Sequence, residues 1–283
     1  MINLDAYLQR IAHTGPHEPT LGVLTAICAA HPAAIAFENI DPLLGRPPSL
    51  APEALHAKLI AQRRGGYCYE QNAVLRLALQ QLGMQVTALA ARVVWMSPPD
   101  APPRARSHML LKVELPDAPQ DSFIVDAGFG GRLLGAPLRL QPGVVQRTPS
   151  GTERITQHND IYAVEADLGE SSGGWTPRYR FTLEPHRPVD YEPLNWFTAT
   201  HPRSLFVNNL VMERLTPALR ANLLNDRLTL SAVGGVPQVR RIENVADFAQ
   251  VLDEVFDLQP PVLASELFDR VPKGLDGAFM PRT

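Results

Sequence analysis

One of the two cysteines stands at a position suited to nucleophilic chemistry. Cys68 follows Gly65-Gly66 and begins a predicted helix over residues 68–82. The unpaired N–H groups and the positive dipole end of a helix start stabilise a thiolate, the reactive form of cysteine. Most unpaired cysteines are small core residues, and Cys28, in an apolar helical segment, is expected to be one. The glycine turn and the helix start make Cys68 the candidate nucleophile.

His108 is the candidate base for that thiol. It opens a predicted strand over residues 108–115, in which alternate residues form an apolar stripe: Met109, Leu111, Val113 and Leu115. Because side chains alternate along a strand, His108 points to the other face, beside Lys112 and Glu114. On position alone, a solvated surface histidine is as good an interpretation as a catalytic one.

Asp126 favours the catalytic interpretation. Residues 122–126 form a second predicted strand after a turn centred on Asp117. If the two strands pair as a hairpin about Asp117, Asp126 falls opposite His108 on the same face. A carboxylate there holds the imidazole tautomer and stabilises the imidazolium that forms when the thiol is deprotonated. A slip of one residue would remove this contact and leave Asp126 an ordinary residue at a strand end.

A glycine-rich segment, Gly128-Phe129-Gly130-Gly131, comes directly after this aspartate. Glycine permits close backbone approach and positive φ, so successive N–H groups can face an anion or a carbonyl oxygen. Alone, such a segment is more often a plain turn. Its place beside Asp126 indicates a resting site for a pyrophosphate or an acyl carbonyl.

The elements that must position these residues follow from the periodicity of the apolar residues. Helical spacing before residue 84 predicts helices over residues 4–11, 21–30, 55–60 and 68–82. Short β-rich runs then predict strands over residues 86–96, 108–115, 123–126, 162–165, 179–183, 205–212 and 227–233. Residues 245–256 form a last predicted helix, stopped by Pro260-Pro261. The spacing of the strands is typical of an antiparallel sheet or small barrel.

Composition excludes several classes of function. The 283 residues carry a net charge of −3 with a pI near 6.2, which leaves no electrostatic footprint for nucleic acid or an anionic membrane. An acidic residue near the N-terminus argues against a signal peptide, and the lack of a long apolar run argues against a membrane span. We therefore expect a cytoplasmic protein. Two cysteines without a CxxC pair and eight scattered histidines predict no metal site and no disulfide.

Several segments resemble motifs of the arylamine N-acetyltransferase family. Residues 64–72, Arg64-Gly65-Gly66-Tyr67-Cys68-Tyr69-Glu70-Gln71-Asn72, are similar to the active-site signature of that family. Further matches occur in family order and cover nearly the whole chain: Phe37-Glu38-Asn39, Ser107-His108, Val125-Asp126-Ala127-Gly128-Phe129-Gly130-Gly131, Asn195-Trp196-Phe197 and His201-Pro202-Arg203-Ser204-Leu205-Phe206.

The resemblance implies an α+β fold in three parts. Residues 1–84 would form a helical bundle carrying the nucleophilic cysteine, residues 85–198 an antiparallel β-barrel carrying the histidine and the aspartate, and residues 199–283 an α/β lid. The first two parts together resemble the core of papain-like cysteine proteases. The compact C-terminal part predicts a fairly open site.

The resemblance also implies a ping-pong acyltransferase, in which acetyl-CoA is the co-substrate and an arylamine, arylhydroxylamine or hydrazine the acceptor. The family's catalytic triad falls on Cys68, His108 and Asp126, its acceptor pocket on Phe37, Val93 and Phe129, and its cofactor contacts on Ser107, Gly130 and Gly131. Glu38 is expected to pair with Arg64 and hold the turn before the nucleophile. The partners would be these small molecules, with no metal, nucleic acid or membrane. The protein would be a monomer or a homodimer.

Three alternatives stand beside this interpretation. An amide synthase of macrolactam biosynthesis resembles the same family and uses the same triad. Hydrolysis of a thioester or peptide requires water to compete with the amine for the acylated cysteine. A non-catalytic ligand-binding protein on the same scaffold is the third, and the presence of all three triad residues argues against it.

Overall fold

The protein has the predicted α+β fold, in which helices precede two antiparallel sheets. A computed structural model describes residues 1–98, 100–170, 174–232 and 235–274. Within these ranges, none of the helices has the length and apolar character needed to span a membrane.

The N-terminal part of the chain is mainly helical. Its elements are α1 Leu4–Arg10, α2 Leu21–Ala34, the short strand β1 Phe37–Glu38, α3 Ile40–Leu43, α4 Pro52–Leu55 with a π-helical continuation His56–Ala61, and α5 Cys68–Gln81. The four predicted helices are confirmed, although α2 continues past its predicted end and through Pro32. Helix α5 begins at the candidate nucleophile, as the sequence predicts.

Eight strands follow: β2 Gln85–Val93, β3 His108–Leu115, β4 Ala118–Val125, β5 Leu138–Arg139, β6 Val145–Thr148, β7 Gly151–His158, β8 Ile161–Asp167 and β9 Trp175–Phe181. They form one antiparallel sheet in the order β5-β4-β3-β2-β9-β8-β7-β6. Gln146 joins the two edge strands, because its amide oxygen accepts the N–H of Arg139 at 2.8 Å and its amide nitrogen donates to the Arg139 carbonyl at 3.0 Å. One side chain thus replaces a backbone pair, and the sheet nearly closes into the predicted barrel.

Both faces of β3 are buried near its start. Its apolar stripe packs into the core that the N-terminal helices share, as predicted. On the opposite face, Leu110 lies in a second core, inside the barrel. His108 shares this inner face and is only 3% exposed. The curvature of the sheet therefore encloses the imidazole, which rules out a solvated surface histidine.

The predicted hairpin register is wrong. A β-bulge shifts the pairing of β3 and β4 near the turn, so that Val125 pairs with Leu111. The next residue, Asp126, then comes level with residue 110 and not with His108. Side chains two residues apart on a strand share a face, so Asp126 still points to the same face as His108.

A second antiparallel sheet contains the C-terminal strands. After the helices α6 Pro188–Thr200 and α7 Leu205–Asn208 come β10 Val211–Leu215, β11 Leu219–Leu224, β12 Arg227–Ala232 and β13 Gln238–Arg241. These strands lie in the order β1-β10-β11-β12-β13, so the N-terminal part contributes an edge strand. The chain continues with α8 Val245–Gln250, a π-helical stretch Val251–Val255 and α9 Ala264–Arg270.

The predicted strand over residues 205–212 is wrong over residues 205–210. Ser204 caps a short helix there, because its hydroxyl accepts the N–H of Phe206 at 3.3 Å, and the strand begins only at Val211. Residue 233, the end of the predicted strand over 227–233, lies outside the described residues, as do residues 275–283 of the predicted lid.

The side chain of Asn39 connects the N-terminal part of the chain to the C-terminal part by hydrogen bonds. Its amide nitrogen donates to the carbonyls of Phe206 and Asn209, each at 2.7 Å, and its amide oxygen accepts the N–H of Val211 at 2.7 Å. The side chain is fully buried. Water has no access to replace these bonds.

Replacing Asn39 by alanine should lower the free energy of unfolding by about 3 kcal/mol, since it leaves buried backbone groups without partners. Urea unfolding followed by tryptophan fluorescence measures the change. Asn208→Ala is a matched control, because Asn208 also donates to two carbonyls but is partly exposed. Equal losses of stability in both variants would contradict the importance of the Asn39 link.

Candidate active site

Buried ion pairs hold the turn that precedes the nucleophile. The guanidinium of Arg64 lies 3.0 Å from the carboxylate of Glu38 and 3.0 Å from that of Asp41. The predicted pair of Glu38 and Arg64 is thereby confirmed, and the structure adds Asp41 to it. All three residues are at least 90% buried. Losing any one of them would leave an uncompensated buried charge, so the group fixes the geometry of the turn.

A lysine extends this group to the start of α5. Lys58 Nζ lies 2.7 Å from Asp41 and 2.7 Å from Glu70. Glu70 also accepts the backbone N–H of Tyr67 at 3.2 Å, which caps the helix. Cys68 is the first residue of α5, where a backbone N–H has no partner within the helix. The nucleophile thus starts a firmly anchored helix with a free donor beside it.

The imidazole of His108 lies between the cysteine and the aspartate. Its Nε2 is 2.7 Å from Oδ2 of Asp126. The Cys68 thiol also interacts with the ring, through a hydrogen bond and through its charge. The sulfur itself lies 3.8 Å from the carbonyl oxygen of Ser107, the residue before the histidine. The three predicted triad residues are therefore together.

The carboxylate keeps the imidazole charged. Burial alone lowers the pKa of His108, but the charge of Asp126 and the hydrogen bond to it outweigh burial, and together with Cys68 they raise the pKa of His108 to about 10. For Asp126 burial acts in the opposite direction and raises the pKa of the carboxyl group. The imidazolium and the hydrogen bonds that the carboxylate accepts nevertheless bring this pKa below its ordinary value. At neutral pH the pair is an imidazolium and a carboxylate, so a positive charge lies next to Cys68.

Asn72 is a functional residue that sequence reasoning missed. Its amide nitrogen donates to Asp126 Oδ1 at 3.0 Å and to the carbonyl of Met109 at 2.7 Å, while its amide oxygen accepts the N–H of Ala127 at 3.0 Å. It lies one helical turn after Cys68 on α5 and is fully buried. That spacing was the available signal, since residues four apart share a helix face. Asn72 thereby connects the helix of the nucleophile to the strands of the base and the acid.

Aromatic rings enclose the imidazole. The ring of Tyr179 packs on that of His108 with centroids 4.9 Å apart, and the ring of Phe129 meets it edge-on at 5.4 Å. Tyr179 is fully buried, and burial followed by the charge of Asp126 raises the pKa of its phenol well above the ordinary value. It therefore stays neutral beside the ion pair. No local pattern marks Tyr179, because its contacts come from the curvature of the barrel.

The predicted pocket residues lie around this centre. Phe129 belongs to the core inside the barrel, and Val93 is partly buried against that core. Phe37 comes from the other side, on β1, and its ring lies against Gly130 so closely that a Cβ added there would be 2.3 Å from it. The structure thus brings Phe37 and Phe129 to the same glycine-rich segment.

The backbone N–H groups of the glycine-rich segment do not point where the sequence predicts. The N–H groups of Gly130 and Gly131 are not turned outward: Gly130 donates to the Gly128 carbonyl at 3.1 Å, and Gly131 to the carboxylate of Glu213 at 2.5 Å. A φ of +103° at Gly131 permits this orientation. These N–H groups are therefore occupied and do not cradle an anion, although Gly131 itself is exposed.

The centre is closed rather than fairly open. Cys68 is 2% exposed, and His108 and Asp126 are similarly buried. Cys28 is buried elsewhere in the core, where burial raises the pKa of its thiol to about 12, so it is the inert core cysteine that the sequence predicts. Within the described ranges, no three His, Cys, Asp or Glu side chains are grouped to hold a metal ion.

Replacing Asp126 by asparagine should slow the alkylation of Cys68 by iodoacetamide at neutral pH about tenfold or more. Asparagine retains the oxygen that accepts the N–H of Gly128 but removes the charge, so burial then favours a neutral imidazole. Peptide mass spectrometry measures the rate, with Cys28 as an internal reference. Asp121→Asn, which alters a carboxylate paired with Arg139 on the barrel surface, should change nothing. An unchanged rate at Cys68 in the Asp126 variant would contradict the role of this charge.

Known proteins share both the sequence and the fold. A sequence model described as N-acetyltransferase matches residues 20–262. The arylamine N-acetyltransferase of Mycolicibacterium smegmatis is 43% identical over 255 residues, which cover 90% of this chain and 90% of that protein. A solved structure of the M. smegmatis enzyme matches with a TM-score of 0.90 and 40% identity, covering 98% of this chain and 100% of the other. The Mycobacterium marinum enzyme, solved in complex with CoA, matches with a TM-score of 0.89 and 38% identity over 95% of this chain and 98% of that one. This chain belongs to the arylamine N-acetyltransferase family.

Proposed function

We propose that this protein transfers an acetyl group from acetyl-CoA to an arylamine, arylhydroxylamine or hydrazine through an acetyl-Cys68 intermediate. One observation carries the proposal: a cysteine at a helix start is hydrogen-bonded to an imidazole whose Nε2 is 2.7 Å from a buried carboxylate. The relatives named as arylamine N-acetyltransferases support the acceptor class, and the M. marinum complex supports CoA as the carrier.

In the first half-reaction the thiolate of Cys68 attacks the thioester carbonyl. The backbone N–H at the start of α5 stabilises the developing oxyanion, because it has no partner within the helix. The carbon–sulfur bond of the thioester breaks, and the imidazolium of His108 gives its proton to the departing CoA thiolate. The products are acetyl-Cys68, CoA and a neutral imidazole.

Acetylation also prepares the second half-reaction. The charge and hydrogen bond of Cys68 contribute to the raised pKa of His108, and both are lost when the sulfur is acetylated. The neutral imidazole then takes a proton from the amine as its nitrogen attacks the acetyl carbonyl. Collapse of the tetrahedral intermediate releases the acetylated amine and restores the thiolate beside an imidazolium. Weakly basic arylamines and hydrazines suit this step, since they reach the site uncharged.

The acceptor would lie among Phe37, Val93 and Phe129. Phe129 already touches the ring of His108, so an aromatic amine stacked there brings its nitrogen close to both the acetyl group and the base. Ser107, Gly130 and Gly131 would flank the acetyl-CoA. With its N–H engaged by Glu213, Gly131 would contact the cofactor through its exposed backbone surface and not as a hydrogen-bond donor.

We propose a separate role for each of three parts of the chain. Residues 1–84 supply the nucleophile, residues 85–198 supply the base and the acid, and residues 199–283 form the lid. The pairing of β1 with β10 supports cooperation between the first and third parts.

Replacing Cys68 by alanine should abolish CoA release in an assay with acetyl-CoA and a panel of arylamines and hydrazides, because no sulfur remains to accept the acetyl group. Cys28→Ala is the matched control and should retain activity near that of the unaltered protein, since Cys28 is a buried core residue. Without an acceptor, mass spectrometry of the unaltered protein should find one acetyl group on the peptide that contains Cys68.

Turnover by the Cys68 variant would overturn the proposal. Free acetate as the main product in the presence of an amine would indicate a hydrolase instead. An acetylated protein that passes its acyl group to no intermolecular amine would favour the amide synthase.

A further inference from the structure

Glu213 is a buried carboxylate that reaches from the second sheet to the glycine-rich segment. It lies on β10, is 0% exposed, and uses both oxygens: Oε2 accepts the N–H of Gly131 at 2.5 Å and Oε1 that of Leu133 at 3.1 Å. Arg220, whose Nε lies 3.5 Å from Oε1, supplies the nearby positive charge. Both oxygens of the Glu213 carboxylate therefore bond to the same backbone segment, at Gly131 and Leu133.

The same segment is held from a second side. The guanidinium of Arg178, fully buried on β9, donates to the carbonyl of Arg132. It also lies 5.9 Å from the centre of the Phe129 ring. Residues 129–133 are therefore fixed through two N–H groups by a carboxylate and through one carbonyl by a guanidinium, which leaves little freedom for the backbone between them.

This segment carries Phe129 of the proposed acceptor pocket and lies against Phe37, another residue of that pocket. Phe129 packs edge-on against His108, and Gly130 lies against the ring of Phe37. Phe37 is also the cross-strand partner of Glu213 in the pairing of β1 with β10. The two carboxylate bonds thus connect the strand that pairs with Phe37 to the segment that carries Phe129.

Only a carboxylate provides these two bonds. It presents two acceptor oxygens, whereas the amide of glutamine presents one acceptor and one donor. A glutamine at position 213 would face one backbone N–H with an NH₂ group, so one buried donor would lose its partner and the segment would shift.

We propose that Glu213 is a positioning residue that sets the width of the acceptor pocket by holding residues 129–133, and through them Phe129, in place. The inference rests on the proposed acetyltransferase function. Glu213 acts on aromatic acceptors through the ring of Phe129 and not through Cys68 or His108.

The test compares an aromatic acceptor with one that has no ring. For Glu213→Gln, kcat/KM for aniline at saturating acetyl-CoA should fall about tenfold, mainly through KM, whereas kcat/KM for hydrazine should change less than about twofold. The rate at which iodoacetamide alkylates Cys68 should be unchanged, because the triad does not involve Glu213. A loss of folded protein would lower all three quantities together.

Two further variants separate the bond between Glu213 and Gly131 from a general loss of stability. Asp226→Asn is the matched control, since Asp226 is a buried carboxylate between β11 and β12 that accepts the N–H of Gly274 and does not contact the segment. It should leave the aniline-to-hydrazine ratio unchanged. Gly131→Ala displaces the donor N–H of residue 131 and leaves the Glu213 carboxylate unchanged. The positive φ at this position strains alanine, although the added Cβ meets open space. It should lower the ratio as Glu213→Gln does, even if the glutamine variant folds poorly.

A ratio unchanged in both Glu213→Gln and Gly131→Ala, or equally lowered in Asp226→Asn, would overturn the inference. If the unaltered protein released CoA with neither acceptor, the proposed function itself would fail, and the unaltered protein alone would show this.

Discussion

The hydrogen-bonded pair of His108 and Asp126 lies where water has almost no access, and the rest of the site depends on it. Burying a charged imidazole or a carboxylate alone costs several kcal/mol, so each is tolerated only because the other is 2.7 Å away. Their mutual attraction keeps the imidazole protonated at neutral pH and places its positive charge beside the sulfur of Cys68. The nucleophile is therefore held in a closed, largely aromatic pocket, away from competing reactions with water.

Three separate parts of the fold must meet for this pair to work. Helix α5 brings Cys68, and Asn72 on the same helix holds the carboxylate and two backbone groups of the barrel strands. The barrel supplies the histidine and the aspartate from neighbouring strands. The second sheet contributes Glu213, which fixes the backbone that follows the aspartate. Buried polar side chains, each fully used, replace apolar packing where the parts join, and such bonds specify a single arrangement.

Local patterns predicted those features whose causes are local. The glycine turn and helix start marked Cys68, and the alternation in β3 placed His108 on the correct face. The register of β3 and β4 failed because a bulge, which leaves little trace in the sequence, shifts the pairing. A serine cap replaced the expected strand at residue 205 with a helix. Tyr179 and Glu213 could not be found by such reasoning, since their partners are far away along the chain and only barrel closure and sheet pairing bring them together.

The charge on His108 can be measured by titrating its imidazole. With isotopically labelled histidine, the ring resonances of His108 can be followed by NMR from acid to alkaline pH and assigned with a His108→Gln variant. We expect the imidazole to stay protonated through neutral pH and to release its proton near pH 10. Titration near 6.5, the value of an ordinary histidine, would contradict it.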